Sequence, residues 1–340
     1  MRRAFTSAGV AVGLTFLLVA CEARHDAAIE ERPRQPVVVF AAYPDAIELD
    51  SLFADFTDET GITIIVRNGS ADSVVDDVIQ KRVSPAADLL LTESVTGVWR
   101  AADEGALRPF NSRLVSDTVA DWARDPDGFW FARSYRSAVI VFDPGVFVAA
   151  DFSSYAVLAE TRFHGHLCLT TFGRSINQTV VATLIDELGV RPAEIIVRGW
   201  LRNLAAPAFD SEQELLDAIA SGTCSVGIAS STAVAVALTS ALSDMAVVTP
   251  PNACIDIDGV GIARHANNPQ GALAVAEWLL SPSVQTLQAK NMLTYPVNSL
   301  APVPVELNVP GKDSAVPKNM SRVAWRVSEA IRLAERAQYR

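Results

Sequence analysis

Apolar residues fall into two rhythms along this chain: short unbroken runs, and longer segments where they return every three or four positions. Residues 37–41 form an unbroken run of strand length. Residues 50–60 place Leu52, Phe53 and Phe56 at helical spacing before Gly61, and 62–67 predict a second strand. Strand, helix, strand with short links predicts an α/β fold, and the unbroken strands suit a sheet covered on both faces. The pattern continues with a helix over 72–83, a strand over 87–91 and a helix over 95–104 closed by Gly105. Residues 128–144 (GFWFARSYRSAVIVFDP) read as paired strands, 165–171 as a strand, and 176–188 as a helix with Val180, Val181, Leu184, Ile185 and Leu188 on one face. A helix over 209–220, a strand over 225–229, a strand-like run over 255–262 and helices over 269–280 and 284–290 follow. The last helix, 322–338, sets Val323, Val327, Ala330, Ile331 and Ala334 on one docking face.

The first 21 residues break this pattern. Arg2 and Arg3 precede an apolar run over 8–20, and Leu18, Val19 and Ala20 stand before Cys21. That order predicts a secretory signal at 1–20, cleaved before a lipid-bearing Cys21, with 21–35 as the tether. Thirteen apolar residues fall short of the roughly 20 that a bilayer-spanning helix needs. The domain is therefore expected outside the cytoplasm, anchored by lipid to the outer or inner membrane.

Charge and cysteines narrow the function. Cleaving off Arg2 and Arg3 would take the formal charge from −11 to −13, a balance that repels nucleic acid. Of four cysteines, three remain after lipidation, and their spacing has no zinc-site pattern. No dinucleotide loop follows the first strand, which ends in AAYPD, and neither a GxSxG elbow nor an HExxH helix is present. His164 and His166 flank Gly165 ahead of a strand, the setting of a surface turn rather than of a metal pair. The chain is accordingly read as a non-enzyme.

An ordered set of phrases then points to a family: FADFTDETGITI, ADLLLTES, WRAADEGALRPF, DPDGFWFARSYRSAVIVFD, GHLCLTTFGRSINQTVVATLI, SGTCSVGIA, HANNPQGALAVAEWLLSPSVQ and TYPVN. Across roughly 37–300 the chain resembles the extracellular solute-binding proteins of ABC importers, in the branch of the periplasmic ferric-iron-binding proteins. The resemblance implies a bilobal periplasmic-binding-protein fold, two sheet-and-helix lobes joined by crossing strands. Lobe 1 would comprise 36–133 and 260–300, and lobe 2 would comprise 134–259 and 301–340. It further implies a monomer that captures Fe³⁺ with carbonate or another synergistic anion and delivers it to an ABC permease and its ATPase. Capture of a small anion or organic acid, and a non-transport sensory or envelope role, stand as alternatives. Cys168 and Cys224 each border a core strand of the implied second lobe, so a disulfide between them is expected, leaving Cys254.

The ligand positions depart from those relatives. Where they carry adjacent tyrosines after the strand DVGIA, this chain has Thr232, Ala233 and Val234. Pro44 stands at their first-strand histidine and Ile176 at the tyrosine before the Asn-Gln pair. A hard trivalent cation prefers anionic oxygen donors, which none of these residues supplies. The remaining metal candidates are Tyr43 and Tyr135, with Asp45 as a further oxygen donor, and Arg136 is the candidate anion contact. Ser175 and Asn177 at a helix start, Thr232 after a strand, Thr92 at a strand end and Ser70 after the Asn68-Gly69 turn complete the expected ligand set, each also able to serve as a helix cap or turn residue.

Overall fold

The first apolar run becomes β1 (Val37–Ala42), every residue of which is buried. It pairs in parallel with β2 (Ile64–Asn68) on one side and β3 (Leu89–Thr92) on the other, so α1 (Leu49–Thr60) and α2 (Ala71–Gln80) are right-sized crossovers. The computed structural model describes residues 35–43, 49–81, 84–238, 245–251, 253–308 and 319–340, the side chains of residues 50 and 51 excepted. The expected signal, Cys21 and Asp45 lie outside the described residues. After β3 come α3 (Val95–Asp103) and the short α4 (Arg113–Thr118).

The expected strand pair over 128–144 is instead one 13-residue strand, β4 (Trp130–Phe142). Its length lets it serve two neighbourhoods. Trp130 to Ser137 pair antiparallel with β8 (Ile255–Ile262), which also pairs with β3, whereas Ala138 to Phe142 pair with β6 (Val226–Ser230). The path runs β2-β1-β3-β8-β4-β6-β5, with β5 (Leu167–Cys168), and both β7 (Ala246–Val248) and β9 (Tyr295–Pro296) flank β4. β5 is far shorter than the expected strand over 165–171. Leu167 within it also bridges to Leu204, and beyond it Thr170 makes an isolated bridge to Phe209.

Helices cover this sheet. α5 (Ser175–Leu188), α6 (Val190–Asn203) and α11 (Met320–Ala337) form one layer, and α7 (Glu212–Ala220), α8 (Ser231–Leu238), α9 (Pro269–Trp278) and α10 (Pro282–Met292) complete the set. α11 buries Val323, Val327, Ala330 and Ala334 as its spacing predicts, with Leu333 in the place expected of Ile331, which is partly exposed. A disulfide joins Cys168 on β5 to Cys224 just before β6, and Cys254 is buried outside that bridge. Among the described residues no helix is long and apolar enough to cross a membrane.

Candidate functional site

A cavity of about 500 Å³ opens where the starts of several helices meet. α2 contributes Asp72 and Val75, and the β3–α3 junction contributes Glu93, Ser94, Thr96 and Gly97. From the other side of β4 come Gly173, Arg174, Ser175 and Ile176 ahead of and within α5, Glu212 at the start of α7, and Thr232 and Ala233 at the start of α8. Helix starts carry unpaired N–H groups and the positive end of the helix dipole, so their convergence favours negative charge in the cavity. Ile176, Thr232 and Ala233, three of the positions where the ferric relatives are expected to carry tyrosine, thus face the cavity with a methyl-bearing or hydroxyl side chain.

Tyr43 also lines it, at the end of β1, with its ring almost wholly buried. Its hydroxyl donates to the Thr92 carbonyl (3.1 Å) and accepts from Nε (3.2 Å) and Nη2 (2.6 Å) of Arg133. Burial pushes the phenol well above its usual range despite the lowering influence of Arg133. Arg133 is itself fully buried, donates also to Gln288, and stacks its guanidinium over the Tyr43 ring at 5.1 Å.

The cations divide by partner. Arg100 pairs with Asp76 at 2.6 Å and Asp72 at 3.6 Å. Arg136 reaches the cavity while it binds buried Asp258 and donates to the Glu93 carbonyl at 2.8 Å. Burial works against the Arg136 charge, yet Asp258, Asp256 and Glu93 together hold it above the ordinary arginine value. Arg174 differs, donating through Nε and Nη2 to the Asp210 carbonyl and pairing with no carboxylate among the described residues.

The acids divide likewise. Glu212 is occupied by the amide and hydroxyl of Ser230. Glu93 has neither a hydrogen bond nor an ion pair at its carboxylate among the described residues. Burial pushes its pKa up, Arg136 opposes this, and Asp258 and Asp256 reinforce it. Asp256, fully buried beneath, accepts from the amides of Val95 (3.1 Å) and Ile257 (2.9 Å).

Of the expected ligand set, Tyr43, Arg136, Ser175 and Thr232 are brought together, although the Thr232 hydroxyl already donates to the Leu293 carbonyl at 2.8 Å. The others are not. Tyr135 lies outside the cavity lining, stacked on Tyr295 at 5.0 Å and edge-on to Trp122, because successive strand residues face opposite ways and its neighbour Arg136 takes the inward position. Asn177 is buried and ties its amide to Thr170 and Thr171, securing the turn into α5. Thr92 is buried and donates to the Ser94 carbonyl, and Ser70 caps α2. Sequence reasoning singled out neither Arg174 nor Arg133. Glu93 was visible within ADLLLTES, next to a threonine that faces elsewhere.

Comparison with known proteins agrees with this architecture. The family described as "Bacterial extracellular solute-binding protein" matches residues 51–310. "Iron uptake protein A1" of Synechocystis sp. is 28% identical over 324 residues, covering 91% of this chain and 89% of that protein. A solved Trichodesmium protein, described in complex with iron and citrate ligands, superposes with a TM-score of 0.81 at 23% identity, covering 90% of this chain and all of the other. The ferric binding protein from Campylobacter jejuni gives 0.81 at 18% identity, covering 89% of this chain and all of its own.

Proposed function

Because the chain belongs to the bacterial extracellular solute-binding proteins, whose members are transport components and not enzymes, we propose that it captures ferric iron as an anion-bearing chelate for an ABC permease and its ATPase. The relatives' names supply the metal. The observation that carries the chelate is the cavity lining: one tyrosine, its oxygen already bonded to Arg133 and Thr92, beside a Glu93 carboxylate and an Arg174 guanidinium that make no ion pair among the described residues. A bare Fe³⁺ ion would find too few anionic oxygens there. An ion whose coordination is partly filled by a small organic acid needs fewer, and the acid's own carboxylates suit Arg174 and the helix starts. In this reading Glu93 supplies the protein's oxygen donor inside the cavity, with Asp45 as the further donor expected from the sequence, while Tyr43, held by Arg133 and Thr92, shapes the wall, and Ser175 and Thr232 line the anion's side.

The remaining assignments belong to the same proposal: two lobes divided across β4 and β8, a monomer, and a lipid anchor on Cys21 that holds the domain outside the cytoplasm. Titration of the metal-free protein with Fe³⁺ alone, with carbonate and with citrate tests the cargo. Tight binding only with an anion present, with a weak phenolate-to-iron absorption band, is the expected result. Binding of free Fe³⁺ with intense colour would overturn it. A second reading, capture of an organic anion without metal, is favoured by the convergence of helix starts on a cavity that Arg174 and Arg136 also line. Equal affinity for citrate with and without iron would select it.

A further inference from the structure

The outer layer formed by α6 and α11 has a charge opposite to that of the whole chain. These two helices carry seven arginines against three glutamates, with no lysine or aspartate, in a chain of formal charge −11. Their inner faces are committed to the core through Ala193, Val197 and Trp200 on α6 and Val323, Val327 and Leu333 on α11. The arginines therefore stand on the outward ridges. Glu194 locks those ridges side by side, accepting from Arg198 at 2.8 Å and from Arg336 at 2.8 Å, while Arg198 also donates to the Arg336 carbonyl at 2.7 Å. Arg191, Arg202 and Arg332 are exposed and have no acidic partner among the described residues. Among them sit large apolar side chains that packing leaves in solvent: Trp325 at 70% exposed, Ile195 at 63%, and Leu188 at the α5–α6 junction at 47%.

We propose that this face docks on an anionic phospholipid surface. Guanidinium groups pair with lipid phosphates through parallel hydrogen bonds, and tryptophan with branched aliphatic side chains settles at the headgroup boundary. Charge complementarity selects the face, since the rest of an acidic molecule is repelled by an anionic bilayer. Lipid on Cys21, as proposed above, would leave 13 residues between it and Gln35, a tether of at most about 50 Å, so the domain would never be far from such a surface. The docking inference does not depend on the cargo.

The test uses the unit Gln35–Arg340, which contains the whole described core, and vesicles of phosphatidylglycerol with phosphatidylethanolamine or of phosphatidylcholine alone. Co-sedimentation with the phosphatidylglycerol vesicles, lost in high salt, is expected. The R191E/R202E/R332E variant should bind at least tenfold more weakly, since removing even one basic residue near such a surface changes affinity roughly fivefold. Trp325→Ala should also weaken binding, and the thermal transition of each variant should match wild type. Binding to phosphatidylcholine as strong as to phosphatidylglycerol, no vesicle binding, or undiminished binding by the folded triple variant would overturn the proposal. So would a dimer formed through this face without lipid and abolished by the same variant, which would assign the face to a second copy of the chain.

Discussion

The Arg136 side chain shows how one residue's meaning is set by what faces it. An arginine expected to hold a ligand anion lines the cavity and is at the same time the partner of Asp258, a carboxylate with no exposure of its own. Breaking a buried pair leaves an uncompensated charge, so Arg136→Ala should cost about 3–5 kcal/mol of unfolding free energy in denaturant titrations. An Arg136→Met, Asp258→Asn double variant, which removes both charges, should recover much of that loss. A result in which Arg136→Ala leaves stability intact and abolishes only solute binding would restore the ligand role. Glu93 gives the pH counterpart. Its folded pKa lies above the unfolded value, so between the two values the native state holds a proton that the unfolded chain has released. Stability should therefore fall as pH rises through that window, and Glu93→Gln, which cannot ionise, should flatten that part of the stability profile. The residue types were readable in sequence, but the pairing was not, because Asp258 lies 122 positions from Arg136 and nothing local announces it.

At the level of elements, the apolar runs and helical spacings located β1, α1, α5 and α11 to within a residue or two, because each has a strongly patterned buried face. The failures share a cause in tertiary context. The run over 128–144 is continuous because β4 takes partners from two groups of strands in succession, which no local pattern encodes. α8 (STAVAVAL) is small and apolar and lacks a polar stripe, so it does not display the usual signature, whereas α6 does carry an amphipathic pattern, burying Ala193, Val197 and Trp200, that the sequence reading passed over. Close element packing also leaves glycines that only the structure explains. A Cβ on Gly259 of β8 would sit 2.5 Å from Val98 of α3 and 2.8 Å from the Thr92 hydroxyl, so Gly259→Ala should cost about 1–3 kcal/mol. The Cys168–Cys224 bridge ties β5 to β6 across a separation of 56 residues. In the chain-entropy account such a loop contributes about 4 kcal/mol, so the Cys168→Ser, Cys224→Ser variant should unfold at correspondingly lower denaturant, and equal midpoints would contradict a stabilising role.

For the whole molecule, the arrangement of sheet and helices explains why the cavity has the electrostatics it has. β4 and β8 carry the buried charges Arg133, Asp256 and Asp258 and the partly buried Arg136, of which Arg136 alone lines the cavity, and the helix starts converge on the cavity from both flanks of β4. Arg136 is paired with Asp258, so in the function proposed here discrimination falls to two cavity groups with no ion pair among the described residues, Glu93 toward a cation and Arg174 toward an anion. Those two roles can be separated in one experiment. Arg174→Ala should weaken capture of ferric citrate by about 1.5–3 kcal/mol, the usual value of a hydrogen bond to a charged group, with no shift in the unfolding midpoint. Glu93→Gln should weaken it for the metal-loaded anion and leave citrate alone unaffected. Calorimetric titration of both variants with ferric citrate and with citrate checks this. If both variants bind both compounds as wild type does, the solute sits elsewhere than among these residues. If Arg174→Ala alone is impaired, and equally for citrate with and without iron, the cargo is the organic anion and the metal in the relatives' names does not extend to this chain.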